Sequence, residues 1–231
     1  MKVILFGGSG MVGQGVLREC LADDRVTQVV SVGRRALRVS HPKLCEVLRQ
    51  DLADLSPVEA DLAGADGVFY CLGVSSVGLK EDAYRRVTVD LTQEAVRAVR
   101  AASGDEVRFL YVSGGGTDST EQGRVMWARV KGEAENLVLA AFPRAVMFRP
   151  GFIQPRDGIR SKTAWYAAVY AVTGVLTPVL RLVAPGTVND TREIGRAMLN
   201  VAAGTVSLQV EGKRILDPRD IALAAEGPEA P

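Results

Sequence analysis

Residues 2–15 read KVILFGGSGMVGQG, and the reading of this stretch decides the fold. Val3 to Phe6 is a short apolar run stopped by two glycines, as expected of a strand buried on both faces. Gly7, Gly10 and Gly13 follow at three-residue spacing, and Met11, Val12, Val16, Leu17 and Leu21 fall on one face of a helix over residues 11–22. A glycine pattern alone is weak. Between a strand and a helix it has a physical purpose: a sharp turn, close backbone approach to a pyrophosphate, and helix N–H groups aimed at an anion. Ser9 adds a hydroxyl to this loop, and Met11, Val12 and Gly13 supply the opening amides of the helix.

The rest of the chain continues the alternation. TQVVSVG (27–33), LCEVLRQDL (44–52), GVFYCLG (67–73), VRFLYVSG (107–114) and RAVMFRPG (144–151) read as strands. Helices are predicted over about 80–102 and about 123–141. The alternation predicts an α/β protein with a parallel sheet covered by helices on both faces. After Gly151 the pattern changes. The run from Thr163 to Leu180 carries no charge and reaches the lower length of a membrane span, but Gly174 and Pro178 interrupt it. A buried or lid helix is the favoured reading; a helix lying on a membrane surface is the alternative. NDTREIGRAMLNVAAG predicts a helix capped by Asn189 or Asp190, and VSLQVEG (206–212) reads as a short strand. Residues 1–231 are expected to form one domain, with 152–231 contributing a small substrate-side lobe.

Composition narrows the function. With 28 basic and 27 acidic residues the net charge is +1, which leaves no electrostatic footprint for nucleic acid. The single histidine, His41, excludes a multi-histidine metal centre, and no metal is expected. Cys20, Cys45 and Cys71 fit neither a zinc nor a disulfide framework. The opening apolar run is too short for a signal peptide. A reducing, cytoplasmic setting is therefore expected. The partner expected is a small-molecule substrate; the sequence does not set the oligomeric state.

The second strand ends in SVGRRAL. Readers of NAD place a carboxylate there for the ribose hydroxyls, whereas this chain has Gly33, Arg34 and Arg35. A guanidinium binds a 2′-phosphate in bidentate fashion. NADP(H) is the expected cofactor; the alternative is that both arginines are ordinary surface residues.

CLG (71–73), VSGGG (112–116), WARVKGEAE (127–135) and FRPGFI (148–153) follow the glycine loop in that order. With these motifs the chain resembles the Tat-interacting-protein type of atypical short-chain dehydrogenases over about residues 3–155. The resemblance implies a Rossmann-type doubly wound sheet, a bound nicotinamide dinucleotide and a Ser-Tyr-Lys site. It puts Asp51 and Leu52 beside the adenine, although Asp51 also suits a loop or helix cap. It runs Cys71, Leu72 and Gly73 along the cofactor, with Pro150 on the same side, and sets Lys131 on the nicotinamide ribose. Ser113 stands near the serine position as donor to a substrate oxygen, with Thr117 or Ser119 as substitutes.

The tyrosine position, four before Lys131, holds Trp127. A phenol can pass its proton to a carbonyl as hydride arrives, whereas an indole only donates a hydrogen bond. Trp127 is thus a carbonyl-orienting or ring-stacking candidate, or plain helix packing. Tyr84, Tyr111, Tyr166 and Tyr170 are the replacement acids to examine. The expectation is an NADP(H)-binding oxidoreductase acting on a small apolar carbonyl or quinone-like substrate. Its rivals are a cofactor-binding sensor or assembly protein without turnover, and a peripheral membrane protein.

Overall fold

Phe6, at the end of the first strand, aligns with Val32 on one side and Tyr70 on the other, so the glycine loop emerges at the centre of a sheet. The structure is a computed structural model that describes residues 1–159, 187–207 and 209–227. Seven strands form this sheet: β1 (Lys2–Phe6), β2 (Gln28–Gly33), β3 (Leu44–Leu48), β4 (Gly67–Tyr70), β5 (Arg108–Val112), β6 (Val146–Phe148) and β9 (Ile215–Leu216). All pair in parallel, in the order β3-β2-β1-β4-β5-β6-β9. β7 (Phe152–Gln154) and β8 (Val188–Asp190) make a separate parallel pair. The chain leaves β1 toward β2 on one side and returns to β4 on the other, which opens a crevice at the carboxyl ends of β1 and β4.

Strand alternation divides the core into two layers. Ile4, Phe6, Val68, Tyr70, Phe109 and Tyr111 face one layer; Val3, Leu5, Phe69, Leu110 and Val112 face the other. α4 (Leu91–Ser103) and α5 (Met126–Ala141) cover the first, through residues such as Val99, Val130 and Val138. α1 (Met11–Ala22), α6 (Thr191–Ala203) and α7 (Pro218–Glu226) cover the second, through Val16, Ile194 and Ile221. The Rossmann-type α/β reading therefore holds.

Several local readings change. The cap of α6 is Asp190, whose side chain accepts from the Arg192 and Glu193 amides while Glu193 reaches back to the Asp190 amide; Asn189 belongs to β8. Among the described residues of 206–212 no strand is formed, and the edge of β6 is taken instead by Ile215 and Leu216. The long helix over 80–102 is α3 (Glu81–Arg85) and α4 joined by a π-turn, Arg86–Asp90. Between β3 and β4, α2 (Glu59–Leu62) is a single turn. The segment 163–180, with Tyr166 and Tyr170, and the tail 228–231 lie outside the described residues. Among the described residues no helix is long and apolar enough to cross a membrane.

Candidate cofactor and substrate site

At Gly7 and Gly13 the glycine loop leaves no room for a side chain. Gly7 has φ +83°, and a Cβ there would lie 2.6 Å from the backbone of Cys71 and Leu72. A Cβ on Gly13 would lie 2.1 Å from the Gly7 carbonyl oxygen. The Gly10 amide donates to that same oxygen at 2.9 Å and closes the turn. α1 then begins with a cap, Gly10, that has no side chain, and with no acid in its first turn. Its free N–H groups and the positive end of its dipole are left for an anion. A pyrophosphate fits this cradle, so the residues present suit a dinucleotide. Met11 and Val12 open the helix, with Val12 packed on the core rather than facing the cleft.

Beside the loop runs a cleft of about 440 Å³. Gly7, Ser9, Gly10, Arg34, Arg35, Asp51, Leu52, Cys71, Leu72 and Gly73 all line it. Arg34 and Arg35 are exposed, and neither forms an ion pair among the described residues; Gln50 Nε2 donates to the Arg34 carbonyl at 3.3 Å. Asp51 also caps its own turn, accepting from the Ala53 amide at 2.9 Å. Leu52 is buried. Burial pushes the Cys71 thiol up to about 12, so this cysteine is a neutral wall. Other linings were not anticipated from sequence. Val87 reaches the cleft from the π-turn, Leu91 from the start of α4, and Glu46 on β3 reaches it while accepting from the Leu37 amide at 2.6 Å.

Ser113, Lys131, Trp127 and Pro150 do not line this cleft. They gather beyond β4, around the end of β5. Lys131 Nζ donates to the Ser113 carbonyl at 2.7 Å. The Ser113 hydroxyl donates to Glu135 at 2.5 Å, so it is not the free donor expected from sequence. Glu135 is fully buried and paired with Arg149. The loop after Ser113 is pinned onto α5: a Cβ on Gly132 would lie 1.8 Å from the Asp118 carbonyl oxygen, and Asp118 N donates to the Ala128 carbonyl. Buried Pro150 accepts from the Gly115 amide at 2.7 Å and anchors the same loop.

Among the described residues, the substitutes for serine and tyrosine are engaged elsewhere; Tyr166 and Tyr170 lie outside those residues. Thr117 is buried and donates to the Gly114 carbonyl, and Ser119 accepts from Arg149 at 2.5 Å. Tyr84 and Tyr111 are buried in the α4–α5 core layer, Tyr111 stacked on Tyr70 at 5.2 Å. Trp127, in the first turn of α5, packs its indole over Gly116, with Cη2 3.4 Å from where a Cβ would stand.

Half-buried Lys131 is pushed down to about 8, chiefly by desolvation, with the charge of Glu135 opposing. An unfolded lysine titrates near ~10.4, so between these values the unfolded chain holds more protons. Stability should therefore rise with pH through that window, and the cost of burying the charge is fully present below it. Lys131→Met should flatten the rise. Denaturant unfolding of both proteins between pH 7 and 10 checks this; superimposable profiles refute it.

Residues 7–162 match the model of a family described as NAD(P)H-binding. The chain belongs to that family. Among its relatives, Protein fmp52, mitochondrial, of Emericella nidulans is 29% identical over 218 residues, covering 91% of this chain and 90% of that protein. Protein HTATIP2 of Rattus norvegicus is 28% identical over 203 residues, covering 80% and 82%. The resemblance seen in the sequence motifs thus holds. The structure of the Bordetella bronchiseptica enzyme WbmH in complex with NAD+ superposes with a TM-score of 0.63 at 16% identity, covering 88% of this chain and 72% of that one, a likeness of fold. This NAD(P)H-binding chain is oxidoreductase-like in family and Rossmann-like in architecture. The cytoplasmic expectation is corrected: the relatives from E. nidulans, Scheffersomyces stipitis and Meyerozyma guilliermondii are named mitochondrial. Free cysteines do not specify a compartment.

Proposed function

We propose that this chain is an NADP(H)-binding oxidoreductase that exchanges hydride with a small apolar substrate, quinone-like in preference to a simple ketone. One observation carries the substrate preference. Trp127 stands where the family's acid would be, and no described tyrosine can replace it. The loop of Gly7 to Gly13 would hold the pyrophosphate, Arg34 and Arg35 a 2′-phosphate, and Lys131 the nicotinamide ribose. The nicotinamide supplies hydride when bound. The protein's share is to bind, orient and shield; an acceptor whose reduced anion is stabilised by resonance takes its proton from solvent. The missing acid equally suits a cofactor-binding sensor without turnover, and turnover with quinones distinguishes the two.

The cofactor preference rests on two arginines that line the cleft and form no ion pair among the described residues, against Glu46, whose carboxylate is engaged by the Leu37 amide. Losing a hydrogen bond to a charged group costs about 1.5–3 kcal/mol. Arg34→Ala should weaken NADPH by roughly tenfold to a hundredfold and leave NADH nearly unchanged. Calorimetry with both cofactors is the test; equal affinities in the unmodified protein would overturn the NADP(H) assignment.

A further inference from the structure

The hydrogen-bond polarity of Ser113 specifies more about the substrate than the missing tyrosine does. Glu135 sits on α5 one turn beyond Lys131, with no exposed surface. Arg149 Nε lies 3.0 and 3.2 Å from its two oxygens, and Arg149 Nη2 bonds Oε2 as well. The Ser113 hydroxyl approaches Oε1 at 2.5 Å. A carboxylate paired with a guanidinium offers only lone pairs, so the proton of that contact comes from serine. The other protein neighbour of Ser113 Oγ, the Phe148 carbonyl at 3.2 Å, is again an acceptor. A hydroxyl has one proton, and here it is engaged within the protein. What Ser113, partly exposed at the end of β5, can offer a ligand is a lone pair.

We propose that Glu135, acting through Ser113, makes the substrate end a hydrogen-bond acceptor, which selects ligands that bring their own hydroxyl: a phenol, hydroquinone or alcohol over the matching carbonyl compound. The proposal rests on the reading of the Ser113–Lys131 end as the substrate end, and narrows that reading to the hydroxyl-bearing partner of the redox pair. Glu135 is a positioning residue. The arrangement is held from both sides, since Arg149 also bonds Ser119 Oγ in the loop pinned on α5. The carboxylate cannot turn away from Arg149 without stranding a buried charge.

The test is binding to the full-length protein saturated with NADP+, which reacts with neither of two probes, phenol and acetophenone. One neutral hydrogen bond is worth a few-fold in affinity, so phenol should bind roughly three- to tenfold more tightly. Glu135→Gln gives Ser113 an amide donor and releases its proton to a ligand or to the Phe148 carbonyl; the preference should then shrink or vanish. Should that variant fail to fold, Ser113→Ala leaves the Glu135–Arg149 pair untouched and should bring the two ligands to parity. Equal binding of both probes to the unmodified protein overturns the proposal while leaving the substrate-end reading intact. So does a phenol preference that survives Ser113→Ala. If NADP+ binds and neither probe does, the substrate-end reading falls and the proposal falls with it.

Discussion

Gly7→Ala should weaken NADPH binding by roughly thirtyfold or more. Two costs combine at this position. The backbone sits at φ +83°, where an L-residue with a side chain costs about 1–2 kcal/mol. The added methyl would also stand 2.6 Å from the Cys71 and Leu72 backbone, and relieving such overpacking typically costs about 1–3 kcal/mol. The obstacle is main chain at the end of β4 and cannot step aside as a flexible side chain would. The displaced element would be the loop itself, whose amides must converge on the pyrophosphate. Gly78→Ala is the internal control: Gly78 has a similar φ of +77° but nothing within 4 Å of the added atom. It should lose some stability and keep full affinity for the cofactor. Isothermal titration of both variants checks this, and Gly7→Ala binding within threefold of the unmodified protein would refute the cradle.

That cradle was legible because its demands are local. Three glycines between an apolar run and a helical face leave few alternatives, and the geometry at Gly7 and Gly13 fulfils the reason each was expected. Lys131 was singled out for a different reason, its spacing within a familiar motif, and the structure adds its bond to the Ser113 carbonyl. What the sequence concealed depends on contacts between distant elements. Glu135 reads as one more acid on a helix, and its burial follows from Arg149 arriving on the far end of β6. Nothing near Tyr111 announces that it is sealed in the core, while Tyr70, Phe109 and the α4–α5 layer decide it. Apolar spacing over 206–212 suggested a strand, yet a strand needs an edge to pair with, and β9 holds the edge of β6. Two features were readable and missed. Asp217-Pro218-Arg219-Asp220 is a capping box with proline at the first turn, and it starts α7. Gly132, next to Lys131, is the notch that receives the Asp118 carbonyl and so sets the loop beside the site.

Trp127→Tyr should confer ketone reduction on a protein that otherwise lacks it. General acid catalysis is worth ~10²–10⁴-fold, which sets the ceiling for the gain. Three structural facts bear on how much is recovered. Lys131 stands one helical turn from position 127 on α5, with its ammonium anchored at the Ser113 carbonyl, so a phenol at 127 would have the cation it needs nearby. The phenol is smaller than the indole now packed over Gly116, and the space left there would let the ring shift. Ser113 keeps its proton on Glu135, so the usual second donor to the substrate oxygen stays absent. The expected gain is therefore toward the lower end, about a hundredfold, with quinone reduction changed far less because its anion needs no buried acid. Adding Lys131→Ala should cancel the gain, and adding Glu135→Gln should increase it by returning the serine proton to the substrate. NADPH oxidation measured against a ketone and a quinone in parallel reads all four proteins. Robust ketone turnover by the unmodified protein would show that another group supplies the proton and would end the case for a silent sensor. A Trp127→Tyr protein that binds NADPH normally and still reduces no ketone would show that the indole does not stand in place of an acid.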